Sequence, residues 1–100
     1  MKNNTDYPDK MFVDVRNRED FNKAIKFATK FIQAKSNSGH FISKYWAKQH
    51  YLDNATYITF IWNDKLNSYI TNIYSDKSEQ DIINEFDRIV KINNILDTEI

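Results

Sequence analysis

The sequence predicts a small α+β domain, and three observations carry that expectation. Two runs rich in β-branched and aromatic residues, 56–62 and 68–74, flank a polar stretch of five. An alternating apolar segment lies near the start, and segments before and after the hairpin repeat apolar residues every three to four positions. The expected architecture is an antiparallel sheet built on the 56–62/68–74 hairpin plus a short N-terminal strand, packed against two or three helices. The order is β-α-α-β-β-α, with β-α-β-β-β-α as the alternative. One hundred residues suffice for one core and not for two, so residues 1–100 are read as a single globular domain, with 1–9 and 95–100 frayed.

Each element has its own warrant. Met11, Val13 and Val15 alternate with Phe12 and Asp14, the period of a strand with one buried face. Asn17, with Asp20 three places on, has the form of a helix N-cap. Phe21, Ala24, Ile25, Ala28, Phe31 and Ile32 then recur at helical spacing, and the helix is expected to end near Lys35, before the break at 36–39. In the next segment Phe41, Ile42, Tyr45, Trp46 and Leu52 fit a helical apolar face better than strict alternation; a strand over residues 40–47 is the alternative.

The hairpin follows, with its turn over residues 63–67. Pairing Trp62 with Ser68 would place Ile58, Phe60, Trp62, Ile70 and Tyr74 on one face, and Tyr57, Thr59, Ile61, Tyr69, Thr71 and Ile73 on the other. Neither face is polar, so either helices cover both or one is left for a partner. Finally, Ser78 with Asp81 caps a helix carrying Ile82, Ile83, Phe86, Ile89 and Val90 on one side, fraying at Asn93 and Asn94.

Net charge is zero, but it is unevenly spread. From residue 22 to residue 50 the chain has six lysines and both histidines, without one Asp or Glu; much of the balancing acid lies in the last quarter. Such polarity steers an acidic partner or nucleic acid toward one face. Lys23, Lys26 and Lys30 form a stripe opposite the apolar side of their helix.

Composition removes several function classes. No cysteine means no disulfide framework, thiolate nucleophile or cysteine-based zinc site. Gly39, the sole glycine, cannot build a dinucleotide fingerprint or a phosphate-cradling loop. His40 and His50 have no metal-ligand spacing, and Pro8-Asp9 matches only the start of a metal-dependent nuclease motif. His40 with Ser36 or Ser38 can be drawn as a dyad, but the sequence supplies nothing to orient the imidazole. No cofactor, metal or catalytic residue is expected. With no membrane-length apolar run and no signal-like segment, the expectation is a cytoplasmic protein.

The element order resembles that of small ribosome-dependent ribonuclease toxins, which stabilise a scissile phosphate with arginines and lysines on the sheet. Here Arg16, Arg18 and Arg88 are the sole arginines, and the hairpin contributes only Lys65. The alternative order resembles a double-stranded RNA-binding domain, which contacts phosphates through a basic start to its last helix. The corresponding residues 77–81 read Lys, Ser, Glu, Gln, Asp, the wrong charge.

The expected function is therefore a small non-catalytic binding protein. Residues with AT-rich codons (Phe, Tyr, Met, Ile, Asn, Lys) make up about half the chain, which points to a low-GC bacterium or its mobile elements. Anti-CRISPR and other anti-defence proteins, immunity proteins and antitoxins share this profile, so the leading expectation is a phage or mobile-element inhibitor acting by surface occlusion. Its partner-binding residues are expected to be Lys23, Lys26, Lys30, Lys44, Trp46, Lys48 and Tyr69, meeting a protein or nucleoprotein with an acidic surface. Direct nucleic-acid binding through the lysine face and a ribonuclease toxin are the alternatives, and the hairpin face offers a homodimer contact.

Overall fold

The computed structural model describes residues 7–43, 45, 47 and 54–93. Strand β1 (Lys10–Asp14) leads into helix α1 (Arg18–Lys30). The hairpin strands β2 (Tyr57–Asn63) and β3 (Ser68–Tyr74) precede helix α2 (Glu79–Glu85) and a two-residue strand β4 (Val90–Lys91). The sheet order is β3-β2-β1-β4, antiparallel except for the parallel β1–β4 pair. The expected α+β domain with helices against a hairpin-based sheet is the observed fold. The fourth strand and the mixed sheet are additions to it.

β4 exists because helix α2 stops early. Ser78 and Asp81 form the expected capping box, each side chain accepting from the other's backbone N–H. One turn beyond the buried Ile82, Phe86 is already extended (φ −120°, ψ 135°), and Arg88 is left-handed at φ 61°. Ile89 and Val90, expected on the helix, therefore lie beyond it. Val90 and Lys91 pair with Met11 and Phe12, and Ile92 N–H donates to Phe12 O at 3.0 Å.

The hairpin register differs from the expected one by one residue. Trp62 pairs with Tyr69 and Asn63 with Ser68, leaving a four-residue turn. Its geometry explains the shift: Asn63 Oδ1 accepts Leu66 N–H at 3.0 Å, and Asn67 takes φ 50°, which asparagine tolerates well. A one-residue slip exchanges the faces of a whole strand. One face of the sheet thus carries Met11, Val13, Ile58, Phe60, Trp62 and Tyr69; the other carries Phe12, Tyr57, Thr59, Ile70 and Tyr74.

Each face receives a helix. Asn17 caps α1, its side chain accepting Glu19 N–H at 2.8 Å. The helix then buries Phe21, Ala24, Ile25, Phe27 and Ala28 against Met11, Val13, Ile58 and Phe60. On the other face Ile82 of α2 packs with Phe12 and Tyr57, joined by Tyr74, Phe86 and Ile89. Phe12 is consequently buried as well, and β1 hides both its faces, where alternation predicts one. At the chain's start Tyr7 packs edge-on against Phe27, while Tyr69 Oη donates to Pro8 O at 2.8 Å.

α1 ends at Lys30, short of the expected Lys35. Gln33 turns into the left-handed region at φ 47°, and Ala34 N–H folds back to Ala28 O at 2.8 Å. Lys35 then joins the outer edge of β3: its N–H donates to Tyr69 O, its carbonyl accepts from Thr71 N–H, both at 2.8 Å. It is also bridged to Phe41. Tyr45 and Ala47 are helical and Ala47 N–H donates to Ser43 O, so the alternative of a strand over residues 40–47 does not hold at these positions.

Candidate functional site

The placement of the two helices decides the electrostatics. Helix α2 contributes much of the acid in the described C-terminal region, and it lies on the opposite side of the sheet from α1. Two of its carboxylates are engaged there: Glu85 holds Lys77 at 2.9 Å and Glu79 holds Lys91 at 2.7 Å. These pairs raise the pKa of both lysines, the hydrogen-bonded carboxylate being the main cause in each case. Asp14 is likewise consumed, by Arg16 at 2.6 Å, and the hydrogen bond from that guanidinium is the main reason its carboxyl sits below the usual range. The acidic helix therefore does not neutralise the lysines of α1.

Those lysines are not equivalent. Lys23 meets Glu19 one turn earlier at 3.8 Å, a pair the acid-free count from residue 22 onward could not show. Lys26 and Lys30 face outward one turn apart, and Lys35 follows beyond the turn. Among the described residues no carboxylate pairs with Lys26, Lys30 or Lys35. Lys35 Nζ instead donates to Leu66 O at 3.4 Å and lies 5.1 Å from the centre of the Phe41 ring.

Phe41 is 67% exposed and Tyr45 76% exposed, although helical spacing puts both on one apolar face with Ile42. Only Ile42 of the Phe41-Ile42 pair is buried, because Phe41 lies on the bridge to Lys35 rather than on a helix. Between this bridge and the end of α1 is a cavity of about 300 Å³ lined by Thr29, Gln33, Ala34, Phe41 and Ile42. Ala34 and Ile42 are themselves buried. The Thr29 hydroxyl is satisfied within its helix, donating to Ile25 O and Lys26 O at 3.0 and 3.2 Å.

Of the residues expected to bind a partner, Lys26 and Lys30 lie on this surface and Lys23 lies on the same helix in its ion pair. Tyr69 does not present itself to solvent. It is 4% exposed, stacked edge-on against Trp62 and hydrogen-bonded to Tyr7 O and Pro8 O, a consequence of the register shift that turned it toward α1. Lys44, Trp46 and Lys48 lie outside the described residues, as does His50. Lys35, Phe41 and Tyr45 were missed as site residues. Their signal, a lysine and aromatics around the only glycine, was present but was absorbed into a helix end and an apolar stripe.

Ser36, Ser38 and His40 form a short hydrogen-bonded chain, Ser36 Oγ to Ser38 Oγ at 2.8 Å and Ser38 Oγ to His40 Nδ1 at 3.1 Å. The serine therefore occupies Nδ1, the ring nitrogen that an orienting carboxylate holds in a triad. Both Ser38 and His40 are exposed. Among the described residues no group of three or more His, Asp or Glu could hold a metal ion, and no helix is long and apolar enough to cross a membrane.

No family model matches the chain, no curated protein matches its sequence, and no solved structure matches its fold. Its functional reading rests on the surface just described: Lys26, Lys30 and Lys35, which pair with no carboxylate among the described residues, two exposed aromatic rings and a cavity of mixed polarity.

Proposed function

We propose that the protein is a small non-catalytic binding protein that occupies an acidic surface of another macromolecule, in the manner of an inhibitor. One observation carries this: Lys26, Lys30 and Lys35 stand without carboxylate partners among the described residues, Lys35 over the exposed Phe41 ring, while the acid of α2 is committed across the sheet. Beyond the Glu19–Lys23 pair the outer side of α1 carries no balancing acid, and an exposed aromatic ring beside a cation has the composition of an interface anchor. The AT-rich coding bias supports the narrower reading of a mobile-element inhibitor of a host macromolecule, of the anti-defence, immunity or antitoxin kind.

A pull-down from a low-GC bacterial lysate tests the surface. Charge reversal at Lys26, Lys30 and Lys35 is expected to lose the captured partner while the variant remains folded; unchanged retention overturns this choice of surface. The same lysines beside aromatic rings also suit single-stranded nucleic acid, where bases stack on π-faces. A gel shift across a salt series separates the two. Binding at low salt that falls steeply as salt rises favours nucleic acid, whereas no shift at low salt leaves the protein partner.

A further inference from the structure

We infer that the cavity between the end of α1 and Phe41 receives an apolar side chain from an acidic peptide segment, with Lys30 and Lys35 holding the carboxylates that flank it. The inference rests on the binding function proposed above and adds the chemistry of the partner. The cavity, about 300 Å³, suits one large side chain rather than a cofactor. Buried Ala34 and Ile42 and the ring of Phe41 form the apolar part of its lining, beside the polar Thr29 and Gln33; the Thr29 hydroxyl is already satisfied within its own helix.

Charge identifies the occupant. Lys30 ends α1, directly after the lining residue Thr29, and Lys35 Nζ stands 5.1 Å over the Phe41 ring. Lys35 Nζ spends one of its three donors on Leu66 O, and Lys30 pairs with no carboxylate among the described residues, so both ammonium groups keep donors for a carboxylate, while an acidic ligand without an apolar anchor would leave the cavity open. An acidic segment with one large apolar residue satisfies both. Its carboxylates add on-rate and orientation, and its anchor supplies slow release.

The test uses fluorescence anisotropy with the full chain and a fluorescein-labelled nonapeptide carrying a central Leu-Phe pair flanked by glutamates. Replacing Leu-Phe by Ser-Ser, or the glutamates by glutamines, is expected to weaken binding at least about tenfold each. Phe41→Ala and Lys30→Glu in the protein should do the same, with amide spectra confirming that each variant is folded. In the native protein the peptide should shift the amide signals of Thr29, Gln33, Ala34 and Ile42. Equal binding of the Ser-Ser peptide overturns the cavity's role yet leaves a charge-driven binding surface standing. Tighter binding of a twelve-nucleotide oligo-dT that shifts the same signals overturns the peptide in favour of nucleic acid. Loss of the captured partner on lysine reversal, together with no binding of any acidic peptide, overturns this inference and retains the broader function.

Discussion

Lys35 Nζ lies 5.1 Å from the centroid of the Phe41 ring, and the same two residues are bridged through their backbones. Backbone and side chain thus serve different ends. The backbone of Lys35 extends the sheet edge by bonding Tyr69 O and Thr71 N–H, while the ammonium group steadies an aromatic ring that faces solvent. An exposed cation–π contact contributes only about 0.5–1 kcal/mol, so its truncation is mild. Lys35→Ala and Phe41→Ala are each expected to change unfolding free energy by less than about 1 kcal/mol. Lys35→Pro, which deletes the N–H donated to Tyr69 O, should cost about 1–3 kcal/mol. Urea melts of the three variants check this ordering, and a proline variant as stable as the alanine one would remove the edge pairing from the account.

Tyr69 is a core residue with a polar tip. Its hydroxyl donates to Pro8 O at 2.8 Å and lies 3.2 Å from Tyr7 O, fastening the chain's entry into β1. Tyr69→Phe keeps the ring against Trp62 and removes that fastening, at an expected cost of about 1 kcal/mol. Tyr69→Ala also empties the ring's place in the core and should cost about 3–5 kcal/mol, as other large aromatic truncations do. Thermal melts distinguish the two, and hydrogen exchange at Met11 should rise in Tyr69→Phe if the fastening matters locally. Equal stabilities would show that the ring is not packed as described.

The contrast between Tyr69 and Ile82 shows what was legible in the chain. Ile82 sits inside a helix whose start is written in Ser78 and Asp81, and its burial follows from local periodicity. The face on which Tyr69 sits depends on turn length: the polar run by itself is compatible with Trp62–Ser68 pairing, and the bond between Asn63 Oδ1 and Leu66 N–H sets the register one residue away. Strand β4 was hidden for a related reason. Ile89 and Val90 continue the helical spacing of Ile82 and Phe86, and only the left-handed turn at Arg88 redirects them toward β1. The charge asymmetry was visible as a count, whereas its survival depended on α1 and α2 taking opposite faces of the sheet.

Thr59 and Thr71 bury hydroxyl groups that find no hydrogen-bond partner among the described residues. They lie on opposite faces, because Thr59 pairs with Asn72 and Thr71 with Phe60. A buried hydroxyl without a partner costs about 1–3 kcal/mol, and removing it without changing side-chain size recovers part of that. Thr59→Val is therefore expected to raise stability by about 1 kcal/mol, with Thr71→Val similar. Denaturant midpoints measure this. Destabilisation by both substitutions would mean that the hydroxyls are hydrated or bonded in solution.

Gln33 adopts φ 47°, a conformation that costs a side chain roughly 1 kcal/mol and glycine almost nothing. The turn it makes returns Ala34 N–H to Ala28 O and delivers Lys35 to the sheet edge. Gln33→Gly should leave this path intact and stabilise the fold by about 0.5–1 kcal/mol, while Gln33→Val should lose about 1–2 kcal/mol because a β-branched residue resists the left-handed region. The opposite signs make a pair of thermal melts decisive.

Acid should weaken the fold in a defined window. Asp81 is held below the ordinary carboxylate range chiefly by the Ser78 backbone N–H at 3.2 Å, and Asp14 chiefly by the Arg16 guanidinium. A carboxyl whose folded pKa lies below its unfolded value, about 3.9, binds protons more weakly when folded. Its contribution is fully present above that value and is lost as pH falls through the folded pKa. For Lys77 and Lys91 the sign reverses: Glu85 and Glu79 raise their pKa values, so their contribution is present below the unfolded value of about 10.4 and disappears as pH climbs through the folded ones. Stability should therefore be level between about pH 5 and 9 with respect to these groups, falling on both sides. Urea midpoints across pH 2–10 test the acid limb, and Asp14→Asn combined with Asp81→Asn should flatten it. Ser78→Ala should cost about 1 kcal/mol at pH 7 through the lost cap.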